Sequence, residues 1–307
     1  MIKIFYKILV QCLLISVIPS FALALDDGPR MYWNGPVGLN FVQLYTMYIE
    51  GNNLSTDSQL FDPNFETKME LVSMEYDRYF DISGRTFFFT SVLTAGHVSA
   101  KELNQYKQST TGMGDLYFQG TINIFGAPAL SLSEFYDYKQ DSILSFLVGL
   151  NVPTGKYDDD RLLNMGQNRW GLRVGLPFVQ TLGNWKSGEI TTLEILPSAW
   201  FYSSNADYIN NTKLTQEPVY TLEAHLTHDL TTRLYSSLDY SIQGGGETSI
   251  SGVKQNDDYT TDSLGFTLGY QINESSQMIV RYSESLNPNP EKELDVKVLQ
   301  INFNYMW

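Results

Sequence analysis

The sequence is poor in the residues on which several classes of protein depend. Its 307 residues include one cysteine and three histidines. The cysteine, Cys12, lies in an apolar stretch near the N-terminus, so a mature exported chain is expected to contain no disulfide, although export would permit one. No apolar run reaches the roughly 18 residues that a membrane-spanning helix needs. These absences exclude a disulfide-stapled scaffold and a helical membrane protein.

The N-terminal stretch predicts export. A basic start, an apolar core from Ile8 to Ile18 and the A-x-A motif Ala22-Leu23-Ala24 are typical of a secretory signal peptide. The apolar core is too short to span a bilayer. We therefore expect cleavage near Ala24, with residues 1–24 as the signal peptide and residues 25–307 as a single domain.

Positive charge is scarce as well. The chain has 20 lysines and arginines against 34 acidic residues, and loss of Lys3 and Lys7 with the signal would leave 18 against 34, a net charge of −16. Such a chain does not bind nucleic acid non-specifically, because its field repels phosphates. An acidic exported chain that is 14% aromatic is either a soluble all-β protein or an outer-membrane barrel.

The C-terminal segment KVLQINFNYMW favours the barrel. Apolar residues occupy every second position and polar residues the positions between, which is the pattern of a strand with one apolar face. It resembles the C-terminal signal by which the barrel assembly machinery of Gram-negative bacteria recognises its substrates. The residues of this predicted signal are Leu299, Ile301, Phe303, Tyr305 and Trp307.

The same alternation recurs along the chain and predicts an all-β fold: a transmembrane antiparallel barrel of about 12 strands. Its polar face is mostly Gly, Ser, Thr, Asn and Gln, which predicts a hydrated lumen with the apolar face toward outer-membrane lipid and lipopolysaccharide. Long outer loops alternate with short periplasmic turns, except at 126–141, where Ser131 to Glu134 form a capping-box motif before a helical turn. The predicted strands are 38–50, 69–80, 86–95, 115–125, 142–152, 168–181, 190–202, 217–228, 232–243, 261–271, 276–283 and 295–307.

Tyrosine and tryptophan often fall near the predicted strand ends. This distribution fits aromatic girdles at the two membrane interfaces, although aromatic residues favour any strand. The candidates are Tyr32, Trp33, Tyr45, Tyr48, Trp170, Trp185, Trp200, Phe201, Tyr202, Tyr305 and Trp307.

Motifs for cofactor, metal or hydrolytic chemistry are weak. Residues 152–172, VPTGKYDDDRLLNMGQNRWGL, lack the spacing of a phosphate loop, and three consecutive aspartates point in different directions, so we interpret the segment as a solvated loop. No cofactor is expected. No metal site is expected either, because His225 and His228 lie three apart on a strand and face opposite sides. A serine nucleophile, Ser198 or Ser237, facing His225 would give a barrel lipid hydrolase, but no G-x-S-x-G motif occurs.

Charged residues on the inward faces are the better candidates for a lumen or ligand site. Centring one hairpin on Leu182 to Trp185 places Arg173 opposite Glu194. Two interpretations stay open: the charges constrict the pore or orient a substrate, or they tie the barrel wall together. The candidates are Arg169, Arg173, Glu194, Glu223, His225 and Asp239.

Several segments resemble the family named for the meta-pathway (MetA-pathway) of phenol degradation, whose members are regarded as outer-membrane transporters. The segments are VPTGKYDDDRLLNMGQNRWGLRVGL, GPVGLNFVQLY, FDISGRT, GDLYFQGTINIFGAPALSLSEFYDY, LEAHLTHDLTTRLYSSLDY and GGGETSISG. The resemblance covers almost the whole mature chain. It implies a twelve-stranded barrel that passes or binds small apolar or aromatic compounds. The alternatives are a non-transporting structural or surface-binding barrel and, third, the lipid hydrolase.

Overall fold

The computed structural model describes residues 26–52, 65–102, 107–161, 163–286 and 295–307. The predicted signal peptide and its cleavage site near Ala24 lie outside these residues. No helix within the described ranges is long and apolar enough to cross a membrane.

The described chain is built almost entirely of strands. One short helix, α1, spans Leu132–Phe135. The strands are β1 (Asn40–Gly51), β2 (Phe65–Ile82), β3 (Arg85–Glu102), β4 (Lys107–Met113), β5 (Leu116–Phe125), β6 (Ser142–Val152), β7 (Gly171–Gly175), β8 (Phe178–Thr181), β9 (Thr191–Tyr202), β10 (Asn205–Tyr208), β11 (Thr212–Gln216), β12 (Val219–Asp229), β13 (Leu234–Gly245), β14 (Thr248–Ile250), β15 (Val253–Lys254), β16 (Tyr259–Asn273), β17 (Ser276–Leu286) and β18 (Val296–Met306).

The strands close into an antiparallel barrel of twelve staves, as the sequence predicted. Two of the twelve wall strands are each interrupted into two segments. β4 and β5 form one of them and both pair with β3; β7 and β8 form the other and both pair with β6 and β9. Pairing of β9 with β12 and of β1 with β18 completes the circle. Closure leaves no unpaired edge, which a structure in lipid requires because lipid offers no hydrogen bonds to the backbone.

The predicted facing of the last strand is confirmed. Leu299 and Trp307 are 43% and 56% exposed on the outer face of β18, whereas Asn304, between them in the alternation, is 1% exposed. Exposed apolar side chains on the outside of a closed barrel meet lipid. The same alternation of outward and inward residues places Leu172 of β7 and Phe266 of β16 on the outer face, where both are exposed.

The predicted strand bounds were wrong at the two interrupted staves and in the outer loops. The strand predicted at 168–181 is broken at Pro177, which has no N–H to give to a ladder. Segments predicted as loops at 203–216 and 244–260 contain β10, β11, β14 and β15, which form a separate four-stranded sheet at the outer end. Ser251 and Gly252 both have positive φ and turn β14 into β15, a short hairpin signal that alternation does not reveal.

The periplasmic segment 126–141 contains the predicted helical turn. The side chain of Ser131 accepts a hydrogen bond from the backbone N–H of Glu134, and the Glu134 carboxylate accepts one from the Ser131 N–H, which completes the capping box. The hydrogen bonds from Ser131 hold the pKa of the Glu134 carboxyl below its usual value.

The outer loop 153–170 folds inward over the end of the barrel. Leu163 and Met165 are each 1% exposed and pack against inward apolar side chains such as Ile49 and Met69. The lumen is therefore apolar at its outer end, which differs from the hydrated lumen that the sequence predicted along its full length. The strand alternation places Ile49 and Met69 inward, but only the folded loop explains what they pack against.

Asp115 fixes this loop in place. Its carboxylate accepts hydrogen bonds from the N–H groups of Gly155 and Gln167 and from the Asn151 amide. A Cβ added at Gly166 would lie 2.8 Å from Asp115 Oδ1 and 2.8 Å from the backbone of Gly155. The two glycines therefore let two passes of the backbone cross over one carboxylate.

We predict that Gly166→Ala loosens the loop, since the crowding costs about 1–3 kcal/mol and each 1.4 kcal/mol changes an equilibrium roughly tenfold. Trypsin cleavage after the exposed Lys156 should accelerate by roughly 5- to 100-fold if cleavage follows loop opening. Gly114→Ala is the matched control, because its Cβ would have no neighbour closer than 3.6 Å. Equal cleavage rates for the two variants would contradict this account of the loop.

Candidate functional site

The N-terminal segment, defined here as residues 26–39, runs inside the barrel. It is tied to the periplasmic end by the N–H of Gly38, which donates to Tyr79 O, and that of Val37, which donates to Leu130 O. Asn34 is held by Gln140 and by the carbonyl of Pro128. From there the chain rises into the lumen, so that Asp27 reaches the middle of the wall.

Arg173 of β7 binds the tip of this segment, which is Asp27. Its Nη1 lies 2.8 Å from Asp27 Oδ1, its Nη2 lies 2.8 Å from Glu223 Oε1, and its Nε donates to Ser198 Oγ at 3.1 Å. The other oxygen of Glu223 accepts the backbone N–H of Asp27 at 2.9 Å. One guanidinium thus joins the segment to two strands of the wall, β7 and β12.

Arg30 forms a second attachment nearer the periplasm. Its Nη2 lies 2.7 Å from Asp229 Oδ1, and its guanidinium carbon stacks 4.3 Å from the ring centroid of Trp33 and 4.0 Å from that of Tyr235. Glu194 of β9, the strand between β7 and β12, also binds the segment, accepting the Arg30 N–H at 2.8 Å and the Trp33 indole N–H at 3.1 Å. Charged groups of three neighbouring strands therefore hold the segment against one side of the wall.

His225 and Asp239 form a buried pair beside these groups. His225 Nδ1 lies 2.7 Å from Asp239 Oδ1, and both residues are 4% exposed. Ser237 donates to the same carboxylate at 2.5 Å, and Thr267 donates to its other oxygen at 2.6 Å. The serine and the imidazole thus share an acceptor and do not bond to each other, which is not the nucleophile–base geometry of a serine hydrolase. Ser198, the other candidate nucleophile, bonds to Arg173.

All six charged candidates from the sequence are buried, at 2–4% exposure. The predicted register was wrong: Arg173 pairs with Trp200 and Glu194 with Val179, because the link between β8 and β9 runs over residues 182–190. Arg169 bonds to Gln167 and stacks on Tyr202. The ligand role of the six residues stays a prediction.

Several predicted girdle residues face the lumen instead: Tyr45 and Trp200 on the wall strands, and Tyr32 and Trp33 on the N-terminal segment. Tyr32 is 9% exposed and packs with Ile143, Leu147 and Leu196 on the inner wall, and Trp33 packs against the same cluster. Sequence reasoning assigned them to the membrane interface because aromatic residues close to the first strand usually lie there. The stretch DDGPRMYWNGP lacks strand alternation and is rich in charge, which is the signal that separates it from the wall.

Two of the cavities in the lumen border the tip of the segment. The outer one has a volume of about 220 Å³ and is lined by aromatic and apolar side chains, Tyr45, Val92, Tyr117 and Trp200, and by polar and charged ones that include Glu75, Asp115 and Arg173. The periplasmic cavity has a volume of about 340 Å³ and lies between the segment and the strands β1, β17 and β18. Asp27, Met31 and Arg281 line both cavities. The segment therefore forms part of the wall of both cavities.

Comparisons with known proteins agree with this architecture. The family described as "Putative MetA-pathway of phenol degradation" matches residues 50–293, which confirms the resemblance drawn from the motifs. The COG4313 outer membrane channel from Pseudomonas putida F1 is similar, with a TM-score of 0.77, 20% identity, and coverage of 92% of this chain and 100% of that chain. The transport unit of the autotransporter AIDA-I from Escherichia coli has a TM-score of 0.53, 7% identity, and coverage of 92% of both chains. A comparison with curated protein sequences finds no match.

Arg173→Met should destabilise the folded barrel by about 3–5 kcal/mol, because it leaves the carboxylates of Asp27 and Glu223 without their cation in a buried site. Lys186→Met is the matched control, since it removes one partner of an ion pair that is more than 60% exposed on both sides and is worth about 0–1 kcal/mol. Urea unfolding in detergent micelles measures both. A loss below about 1 kcal/mol for Arg173→Met would show that the lumen pairs carry no stability.

Proposed function

This chain belongs to the family described as "Putative MetA-pathway of phenol degradation", and on that premise we propose that it is an outer-membrane channel that admits small apolar or aromatic compounds one at a time. The N-terminal segment acts as its gate. The compound enters the outer cavity and passes to the periplasm when the segment leaves its seat.

The outer cavity is the observation that carries this proposal. An apolar cavity of about 150 Å³ accommodates benzene, so about 220 Å³ suits a substituted single ring. Tyr45, Tyr117 and Trp200 offer aromatic faces, and the Gln119 amide and the Arg173 guanidinium offer hydrogen-bond donors. The rest of the lining is largely polar or charged and includes Glu75, Asp115 and Asn151, so the cavity suits an aromatic ring that carries polar substituents.

The attachment of the segment supports a gate rather than a fixed plug. Its contacts with Arg173, Glu194, Glu223 and Asp229 are side-chain bonds, and none of its backbone pairs in the barrel ladder between Asp26 and Pro36. Each bond to a charged group contributes about 1.5–3 kcal/mol. Such contacts can break and re-form without disturbing the wall strands.

A non-transporting structural barrel is the second candidate, favoured by the occupied lumen. The inward loop, through Leu163 and Met165, and the N-terminal segment both occupy part of the lumen. The two functions differ in what release of the segment does. In a channel, release opens a path through the membrane, whereas in a structural barrel the inward loop keeps the lumen closed.

The variant Asp27→Asn combined with Arg30→Gln loses two charged bonds and should raise the ratio of open to closed states in planar bilayers by roughly 100- to 10,000-fold. Each lost charged bond removes about 1.5–3 kcal/mol, at 1.4 kcal/mol per tenfold change. Lys186→Gln with Glu189→Gln is the matched control, because that pair is exposed in a periplasmic turn. A double variant that stays as closed as the wild type would favour the structural barrel.

Substrate passage has its own test. In a strain that lacks this protein, uptake of a radiolabelled single-ring aromatic compound at micromolar concentration should fall and recover with the wild-type gene. Val92→Trp should fail to restore uptake because it fills the outer cavity. Leu172→Trp, on the lipid-facing side of β7, should restore it. Full recovery of uptake with Val92→Trp would show that the compound does not pass through the outer cavity.

A further inference from the structure

We propose that Asp26, Glu223 and His225 form a zinc site that fastens the N-terminal segment to β12. One potential ligand atom from each side chain lies within 4.8 Å of the other two. Zinc bonds of about 2.0–2.2 Å in tetrahedral geometry place ligand atoms roughly 3.4 Å apart. Side-chain rotations that move the ligand atoms by about 1 Å would therefore complete the site. The ligand types, two carboxylates and an imidazole, suit zinc with water in the fourth position.

The environment of His225 provides an independent indication. Its Nδ1 is bonded to Asp239, and the carboxylate is itself held by Ser237 and Thr267. A carboxylate on the far nitrogen is the usual support of a zinc-bound histidine, because it fixes the ring orientation and raises its basicity. The imidazole is 5% exposed, and its Nε2 lies 4.0 Å from Glu223 Oε2. The nitrogen that is not held by Asp239 thus lies next to the Glu223 carboxylate.

The charges around the site also call for a cation. The N-terminal segment brings six carboxyl groups together with three guanidinium groups. Buried carboxylates in excess of their partners are costly unless a cation or protons neutralise them. Asp26 pairs with Arg281 and Glu223 with Arg173, so a divalent ion would share these two carboxylates with the guanidinium groups and reduce the remaining excess. The groups are Asp26, Asp27, Glu194, Glu223, Asp229 and Asp239 against Arg30, Arg173 and Arg281.

Sequence reasoning missed this arrangement because it considered histidines alone. His225 and His228 do face opposite sides of β12, and His228 is exposed. The third ligand, Asp26, comes from a segment about 200 positions away along the chain. The site therefore exists only while the segment occupies the lumen, so zinc binding stabilises that state by mass action.

The test is zinc binding to the purified, signal-processed protein in detergent, after treatment with a chelator. Equilibrium dialysis with elemental analysis should find one zinc per chain. His225→Ala should abolish binding, and Asp239→Asn should raise Kd by about 10- to 100-fold. His228→Ala and His97→Ala are matched controls, because both side chains are exposed, and they should bind as the wild type does. Wild-type protein without bound zinc, or unchanged binding by His225→Ala, would overturn the proposal.

A second readout avoids any folding defect of the variants. Cobalt added to the wild-type protein should give the visible absorption of a four-coordinate site, and one equivalent of zinc should abolish it. Absorption typical of six oxygen ligands, or none, would overturn the proposal. Neither measurement depends on transport, so a failed channel assay and a failed zinc assay remain distinguishable.

Discussion

The lumen of this barrel depends on how the charge of Arg173 is neutralised. A guanidinium that is 4% exposed on the wall of a narrow barrel is costly unless carboxylates surround it. Glu223 provides one partner from β12, and Asp27 provides the other from the N-terminal segment. Because Asp27 is not part of the wall, completing this ion pair requires the segment to enter the lumen. The occupation of the lumen by the segment is thus a consequence of charge pairing.

The outer end and the middle of the lumen are filled through different interactions. At the outer end, Leu163 and Met165 seal the barrel through apolar packing, and their loop is fixed by the carboxylate of Asp115. At the middle, charged hydrogen bonds hold the segment. The apolar contacts are lost only when the whole loop becomes exposed to water. A single ion pair can instead be replaced by hydrogen bonds to water or to a ligand. This contrast explains why the gate is proposed at the segment rather than at the loop.

Much of the wall could be predicted from the sequence because strand alternation is a local signal. The parity of Leu299 to Trp307 and the capping box at Ser131 are set by residues close together in the chain. The lumen could be predicted only in part. Inward charges such as Arg173 and Glu223 follow from parity, but their partners come from distant segments, and the register across residues 182–190 depends on the length of an irregular turn. The segment DDGPRMYWNGP has no period, so its position depends on tertiary contacts alone.

The most direct test of the account is hydrogen–deuterium exchange of the backbone amides of Asp27, Arg30 and Asn34. Each donates to a side chain of the wall or of the periplasmic segment: Glu223, Glu194 and Gln140, respectively. The account predicts that they exchange together through a local opening, more slowly than a free peptide and faster than the amides of the wall strands. Exchange at the rate of a free peptide, which would mean that the segment is not seated, or as slowly as the wall, which would mean that it never leaves, would contradict it.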